Sequence, residues 1–135
     1  MPLLVDTGVL YALADRRDDW HAPVRRLVER SREPLLAPVT ILAEVTYLLV
    51  SRLGPAAELA FVWSIAQGEI GVEPLSVSDC RRAHDLLGTY PAIGFVDATV
   101  VAQAERLKLG TIATTDRRHF GMIRPRHLSR FTLVP

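Results

Sequence analysis

Apolar residues in this chain form two kinds of segment, and the two kinds alternate along the sequence. Some are runs of three or four residues with no polar face, which are typical of strands buried inside a parallel sheet. Others are longer segments with apolar side chains every three or four positions, which predict amphipathic helices. The predicted strands are Leu3–Val5, Leu35–Ala37, Ile70–Glu73, Thr111–Ala113 and Phe131–Val134.

Helices are predicted in the intervals between these strands. Gly54-Pro55 closes one helix that begins at Thr40, and Ser76 or Ser78 offers a cap for another that runs to about Thr89. The remaining predicted helices are Val9–Ala14, His21–Arg32, Ala56–Gln67 and Phe95–Leu107, of which the last is apolar nearly all round and therefore central. Strands that alternate with helices predict an α/β fold, a parallel sheet flanked by helices, with residues 1–135 forming one domain.

The composition excludes several classes of protein. Of the residues, 49% are apolar and 23% are charged, as in ordinary globular proteins. No apolar run approaches the roughly 18–20 residues that span a bilayer, and no signal-peptide pattern precedes the first strand. A single cysteine, Cys80, excludes an internal disulfide and a cysteine-built metal site. We therefore expect a cytoplasmic protein without a membrane partner.

Charge is distributed unevenly although the net charge is only +1. Residues 117–135 contain five arginines and no acid, whereas residues 1–116 carry a net charge of −4. Arginine binds phosphate in a bidentate fork, so this distribution suits a protein that meets nucleic acid. A solvated surface rich in arginine explains it equally well.

Four acidic residues stand at positions where parallel-sheet proteins bind ligands. Asp6 and Asp116 directly or closely follow the first and fourth predicted strands, so both should reach the carboxyl-end edge of the sheet. Glu44 falls at the margin of the apolar stripe of its helix, and Asp97 lies in the first turn of the central helix. Taken singly, Asp6, Asp97 and Asp116 have an ordinary explanation as helix caps or dipole partners.

As a set, the four carboxylates predict a metal site. Two carboxylates about 4 Å apart repel by about 4 kcal/mol at an effective dielectric near 20, so a cluster must take up protons or hold cations. Oxygen ligands without cysteine or paired histidines favour Mg²⁺, with Mn²⁺ as a substitute, over Zn²⁺. Dinucleotide, P-loop and zincin chemistry are disfavoured because GxGxxG, GxxxxGK[ST] and HExxH are all absent.

Four segments together resemble the PIN-domain ribonucleases, and within them the VapC toxins of bacterial toxin–antitoxin pairs. In chain order they are LLVDTGVLYALAD, APVTILAEVTYLL, GFVDATVVAQAERL and TIATTDRRHF. The resemblance extends from Leu3 to about Phe120 and implies an α/β/α sandwich with a short parallel sheet. It also implies a Mg²⁺-dependent endoribonuclease that cleaves structured RNA, of the transfer RNA or ribosomal RNA class.

The resemblance further implies roles for particular residues. The catalytic acids would be Asp6, Glu44, Asp97 and Asp116. The metal ligands among them would be Asp6, Asp97 and Asp116. Thr114 matches a supporting hydroxyl position, and Thr7 lies nearby. The expected partners are a second copy of the chain and a VapB-like antitoxin whose C-terminal segment covers the active site. Arg117 and Arg118, which follow Asp116 directly, would then bind the RNA backbone, although a solvated pair on a turn is the simpler explanation.

Two other functions remain open at this point. A PIN-fold module that binds RNA or protein without cleavage would share the fold, but it has no need of four mutually repelling acids. A phosphoacceptor receiver domain also places acids at strand ends, yet it needs a lysine on a later strand. Here the only lysine, Lys108, follows the central helix.

Overall fold

Five short parallel strands form one sheet in the computed structural model, which describes all residues 1–135. The strand order is β3-β2-β1-β4-β5, so β1 lies at the centre and pairs with β2 on one side and β4 on the other. The α/β fold with a parallel sheet is therefore confirmed. The strands are β1 Leu3–Val5, β2 Leu35–Pro38, β3 Ile70–Glu73, β4 Thr111–Ala113 and β5 Thr132–Val134.

Seven α-helices flank the sheet. Helix α1 packs on both α2 and α3, and α3 packs on α4. Helix α5 packs along α6. Their bounds are α1 Thr7–Ala14, α2 His21–Arg30, α3 Leu42–Leu53, α4 Pro55–Ala66, α5 Val77–Thr89, α6 Phe95–Arg106 and α7 Arg117–Met122. No helix in the structure combines the length and the apolar character that crossing a membrane requires.

The core is built on β1 and α6, of which the sequence predicted α6 as the central helix. Leu4 and Val5 of β1 have no exposed surface, and eight consecutive residues of α6, from Ala98 to Glu105, are buried. Burying this all-round apolar helix requires α5 to cover it. Arg82 of α5 secures that contact through two hydrogen bonds to Glu105, of 2.6 and 3.0 Å. Arg82 is thus a structural partner of α6.

Element boundaries differ from the prediction where a cap or a tight turn intervenes. Helix α1 begins at Thr7 rather than Val9, because the Asp6 side chain caps it at once. A 3₁₀ turn, Val39–Ile41, separates β2 from α3, so that helix starts two residues later than Thr40. Residues 117–122 form a complete short helix, α7, where the sequence indicated a turn.

Candidate active site

Asp6 lies between the end of β1 and the start of α1, which places its carboxylate at the carboxyl-end edge of the sheet. Only 7% of the residue is exposed. Its Oδ1 accepts a 2.8 Å hydrogen bond from the Thr7 backbone N–H, as a helix cap does. Its Oδ2 accepts a 3.1 Å hydrogen bond from the Thr114 hydroxyl. The cap explains one oxygen, and the second is held toward β4.

Thr114 connects the ends of the two central strands. The residue has no exposed surface and follows β4 directly. Its hydroxyl donates to Asp6 and accepts a 2.9 Å hydrogen bond from the Asp116 backbone N–H. One buried side chain thereby sets the positions of two acidic residues that are 110 positions apart in the chain.

A Thr114→Val variant is expected to lose about 2 kcal/mol of unfolding free energy. Valine has nearly the same shape but leaves the Asp6 carboxylate oxygen and the Asp116 N–H without this partner in a largely buried site. Urea denaturation at pH 7 measures the loss, with Thr114→Ser as the matched control that keeps the hydroxyl. A valine variant as stable as the serine variant would show that the hydroxyl bridge contributes nothing.

Glu44 enters the same edge from the first turn of α3. Its Oε1 accepts a 3.1 Å hydrogen bond from the Thr7 hydroxyl, so Thr7 supports Glu44 rather than capping α1. The residue is exposed. Glu44 therefore faces solvent at the rim, with one oxygen held and the other available.

Asp97 lies in the first turn of α6, and its pKa is raised to about 6. Burial is the largest cause, followed by the negative charges of Asp6 and Asp116, and Glu44 adds to them. The other three predicted acids are thus all close enough to act on Asp97. We name these four residues, Asp6, Glu44, Asp97 and Asp116, the acidic cluster.

The position of α6 at this edge depends on a buried pair of hydroxyl groups. Thr40, in the 3₁₀ turn before α3, donates a 2.7 Å hydrogen bond to the hydroxyl of Thr99, which in turn donates to the Val96 carbonyl. Thr99 has no exposed surface. The pair joins the turn that leads to Glu44 with the helix turn that carries Asp97.

Asp116 caps α7 and also belongs to the acidic cluster. Its Oδ1 accepts from the His119 backbone N–H at 3.0 Å, and its Oδ2 lies 2.6 Å from the His119 ring Nδ1. Potential ligand atoms of Asp97, Asp116 and His119 all lie within 4.8 Å of one another. The prediction that Asp116 caps a helix is therefore correct. Capping does not exclude a second role for the same carboxylate.

The acidic cluster has the chemistry of a divalent-cation site. Asp6, like Asp97, has a raised pKa because burial disfavours its charge, and the charges of Glu44 and Asp116 raise it further. No arginine or lysine forms an ion pair with any of the four acids. Clustered carboxylate oxygens that no arginine or lysine neutralises are the donor set that Mg²⁺ and Mn²⁺ prefer.

A glycine stands where α1 closely approaches the residue that follows Thr114. A Cβ added to Gly8 would lie 2.2 Å from the Thr115 Oγ1. A side chain at this position would therefore require the Thr115 hydroxyl to move. Gly8 permits this close contact between the first turn of α1 and the β4–α7 connection.

Arg117 and Arg118 are both exposed at the start of α7. Neither forms an ion pair. The Arg117 guanidinium carbon lies 5.9 Å from the centroid of the Trp20 ring, within cation–π range. Both arginines are thus free for an anionic ligand next to Asp116.

Some residues of the site were not found by sequence reasoning. The contact of His119 with Asp116 was not predicted, although a spacing of three residues from a capping acid is a usable signal. Thr40 and Thr99 contact each other across 59 positions, and no local pattern marks that pair. Gly8 stands in a helix first turn, where its sequence position suggests only a weak helix former.

Comparisons with known proteins agree with this architecture. The family model of the PIN domain matches residues 3–123. Ribonuclease VapC26 of Mycobacterium tuberculosis (strain ATCC 25618 / H37Rv) is 33% identical over 98% of this chain and 100% of its own length. The alignment thus includes all four residues of the acidic cluster.

Solved structures share the fold at lower sequence identity. VapC20 of Mycobacterium tuberculosis, described as a sarcin–ricin loop cleaving toxin, has a TM-score of 0.79 and 23% identity, covering 87% of this chain and 92% of its own. A toxin–antitoxin complex from Klebsiella pneumoniae has a TM-score of 0.71 and 19% identity, covering 90% and 92%. DNA-bound VapBC from Salmonella typhimurium has a TM-score of 0.69 and 18% identity, covering 98% of each chain.

Proposed function

Because this chain belongs to the PIN-domain family, and within it to the VapC ribonucleases, we propose that it is a Mg²⁺-dependent endoribonuclease. It acts as the toxin of a toxin–antitoxin pair and cleaves structured RNA of the transfer RNA or ribosomal RNA class. The single observation that supports the proposal best is the acidic cluster, in which three carboxylates each raise the pKa of Asp97. Such mutual repulsion serves no purpose in the fold alone.

Each acid of the acidic cluster has its own role in the proposed reaction. Asp6 and Asp97 are the main ligands, since both are partly or wholly buried and neither forms an ion pair with an arginine or a lysine. Asp116 completes the ligand set, and Glu44 at the rim positions a water molecule. When bound, the cation lowers the pKa of water and stabilises the oxygen that leaves phosphorus in hydrolysis. Thr114 and Thr7 keep Asp6 and Glu44 in place through their hydroxyl groups.

A non-catalytic PIN module that binds RNA or protein is the alternative. It would retain the sheet, the hydroxyl bridge and the exposed arginines, but it would gain nothing from a buried acid with a raised pKa. With both carboxylates ionised, holding Asp6 and Asp97 together costs stability that a bound cation returns. The presence of all four acids therefore favours the nuclease.

Cleavage of total cellular RNA by the purified protein tests the two functions. The ends produced are mapped by sequencing, in Mg²⁺ and in chelator, with Asp97→Asn protein as the control for contaminating nuclease. The ribonuclease predicts discrete ends that require Mg²⁺ and disappear in the variant. Identical end patterns for the two proteins, in Mg²⁺ and in Mn²⁺, would favour the binding module.

An apolar groove supports the proposed antitoxin partner. It lies between α1 and α4 and has a volume of about 290 Å³, and seven of its eight lining residues are apolar, among them Leu13, Ala60 and Phe61. Helix α1 starts directly after Asp6, so a peptide in the groove can continue along α1 to the acidic cluster. We infer that the groove binds an apolar segment of a VapB-like antitoxin whose chain then covers the cluster.

An Ala60→Arg variant is expected to weaken antitoxin binding by roughly tenfold or more while RNA cleavage is unchanged. Ala60 is exposed, so the arginine fills the groove without entering the core. Affinity is measured by titration calorimetry with the co-purified antitoxin after separation. Val62→Arg, on an exposed part of the same helix, is the matched control. Equal affinities for Ala60→Arg and wild type would place the antitoxin elsewhere.

Two further expectations belong to this proposal. One sheet and one cluster of 27 buried apolar residues contain elements from both ends of the chain, which supports one domain over residues 1–135. The homodimer stays a prediction, which sedimentation of the purified protein measures directly.

A further inference from the structure

The fold brings Trp20 next to Arg117, the residue that follows Asp116 of the acidic cluster. The ring is half-buried at the connection between α1 and α2 and packs partly against the core. The Arg117 guanidinium carbon is 5.9 Å from the ring centroid, and Arg117 directly follows Asp116. An aromatic ring and an arginine therefore stand together at the rim of the cluster.

The connection that carries Trp20 is held in one conformation. The Trp20 backbone N–H donates to the Asp18 side chain at 2.8 Å, and the Arg17 N–H donates to the Asp15 side chain at 2.9 Å. The His21 ring Nδ1 donates to the Ala12 carbonyl at 2.7 Å, which ties the start of α2 to α1. A ligand that stacks on Trp20 would therefore not need to order this part of the chain.

Arg117 is held only loosely at the ring. A separation of 5.9 Å is close to the limit of about 6 Å for a cation–π contact, and no acid forms an ion pair with Arg117. Arg16 and Arg17, in the same connection as Trp20, are also exposed. Asp15, Asp18 and Asp19 of this connection offset those two arginines, so Arg117 is the cation that is free to turn from the ring toward a phosphate.

We propose that Trp20 and Arg117 form a binding site for one unpaired nucleotide of the RNA substrate. Its base stacks on the indole ring, and Arg117 binds its phosphate, next to the phosphodiester that the acidic cluster would cleave. Aromatic rings and guanidinium groups are the surfaces on which proteins hold splayed RNA bases. A base inside a duplex has both faces covered by its neighbours, so this site selects an unpaired nucleotide.

This inference deepens the proposed function and rests on it, because it assumes an RNA ligand at the acidic cluster. A side chain of the antitoxin could use the same ring, and the experiment separates the two occupants. The protein contains a second tryptophan, Trp63, which is 61% exposed on α4 and offers a matched control.

The test follows the fluorescence of each tryptophan separately. Asp97→Asn is combined with Trp63→Phe, leaving Trp20 alone, or with Trp20→Phe, leaving Trp63 alone. Each protein is titrated in Mg²⁺ with a short end-labelled RNA hairpin, whose binding is measured independently by anisotropy. We expect saturable quenching of Trp20 that follows the anisotropy curve, no quenching of Trp63, and no quenching by a blunt duplex of the same stem.

Affinity supplies the second readout. Trp20→Ala is expected to weaken hairpin binding by about tenfold or more, the typical loss for one base–aromatic stack, while Trp20→Phe retains most of the affinity. Because alanine at a partly buried position can unfold the protein, the quenching experiment, which leaves Trp20 in place, decides the question by itself.

Three results would overturn the inference. Hairpin binding by anisotropy without quenching of Trp20 would show that no base stacks there, and Mg²⁺-dependent cleavage by wild type would then leave the proposed function intact. Quenching of Trp20 by purified antitoxin and not by RNA would assign the ring to the antitoxin. Absence of both hairpin binding and wild-type cleavage would contradict the inference and the proposed function together.

Discussion

Asp97→Asn is expected to lower RNA cleavage by at least about 100-fold while making the metal-free protein more stable by about 1 kcal/mol at pH 8. The two effects have opposite signs because they have one cause. The Asp97 pKa is raised to about 6 by burial and by the charges of Asp6 and Asp116, so at pH 8 the ionised carboxylate is in an unfavourable site. Asparagine removes that charge and, with it, a cation ligand.

The size of the stability gain follows from the pKa shift. The rise of the Asp97 pKa from 3.8 to about 6 corresponds to a stability difference of less than about 3 kcal/mol. Partial exposure of Asp97 reduces this difference to about 1 kcal/mol. Urea denaturation in chelator at pH 8 measures the gain. Asp85→Asn, which removes an exposed acid on α5, is the matched control and should change stability by under about 1 kcal/mol. A less stable Asp97→Asn protein that still cleaves RNA would contradict the assignment.

Mg²⁺ is expected to raise the melting temperature clearly at pH 8 and hardly at pH 5. The folded protein holds the Asp97 proton more tightly than the unfolded chain does, because the folded pKa of about 6 exceeds 3.8. The stability from this group is therefore fully present below about pH 4 and is lost as the pH rises through 6. Asp6, whose pKa is also raised, changes stability in the same direction.

A cation reverses this loss where the carboxylates are ionised. At pH 8 a saturating cation, at about 100 times its dissociation constant, adds about 2.7 kcal/mol. At pH 5 most Asp97 groups are protonated, so the proton competes with the cation and the gain is small. Thermal unfolding with and without Mg²⁺ at both pH values, for wild type and Asp97→Asn, measures the effect. Equal shifts at the two pH values, or a shift that survives in the variant, would exclude the acidic cluster as the cation site.

Much of the fold was predictable because its signals are local. Three-residue apolar runs such as Leu3–Val5 can bury every side chain only inside a sheet, and the spacing of apolar residues predicted each long helix. The short elements were harder to predict. Helix α7 has six residues and depends on capping by Asp116, and the 3₁₀ turn after β2 has only three residues, so neither has a strong periodic pattern.

The acidic cluster was predictable for a geometric reason. Parallel strands end at one edge of a sheet, so acids that follow β1 and β4 must come near each other whatever the loops do. The contacts that support these acids followed no such rule. The Thr114–Asp6 hydrogen bond and the Thr40–Thr99 pair join residues 108 and 59 positions apart, and threonine is too common in strands and helices for such pairs to be recognised.

The sequence by itself determined the α/β fold and which acids follow β1 and β4, because hydrophobic periodicity and strand-end position are properties of neighbouring residues. Tertiary structure alone decided how Asp97 ionises, since its pKa depends on burial and on charges contributed by the residue after β1, by α3 and by the residue before α7. It also decided that Trp20 meets Arg117 and that Gly8 lies against the Thr115 hydroxyl. Electrostatic and steric effects act across space between segments that the chain brings together only on folding.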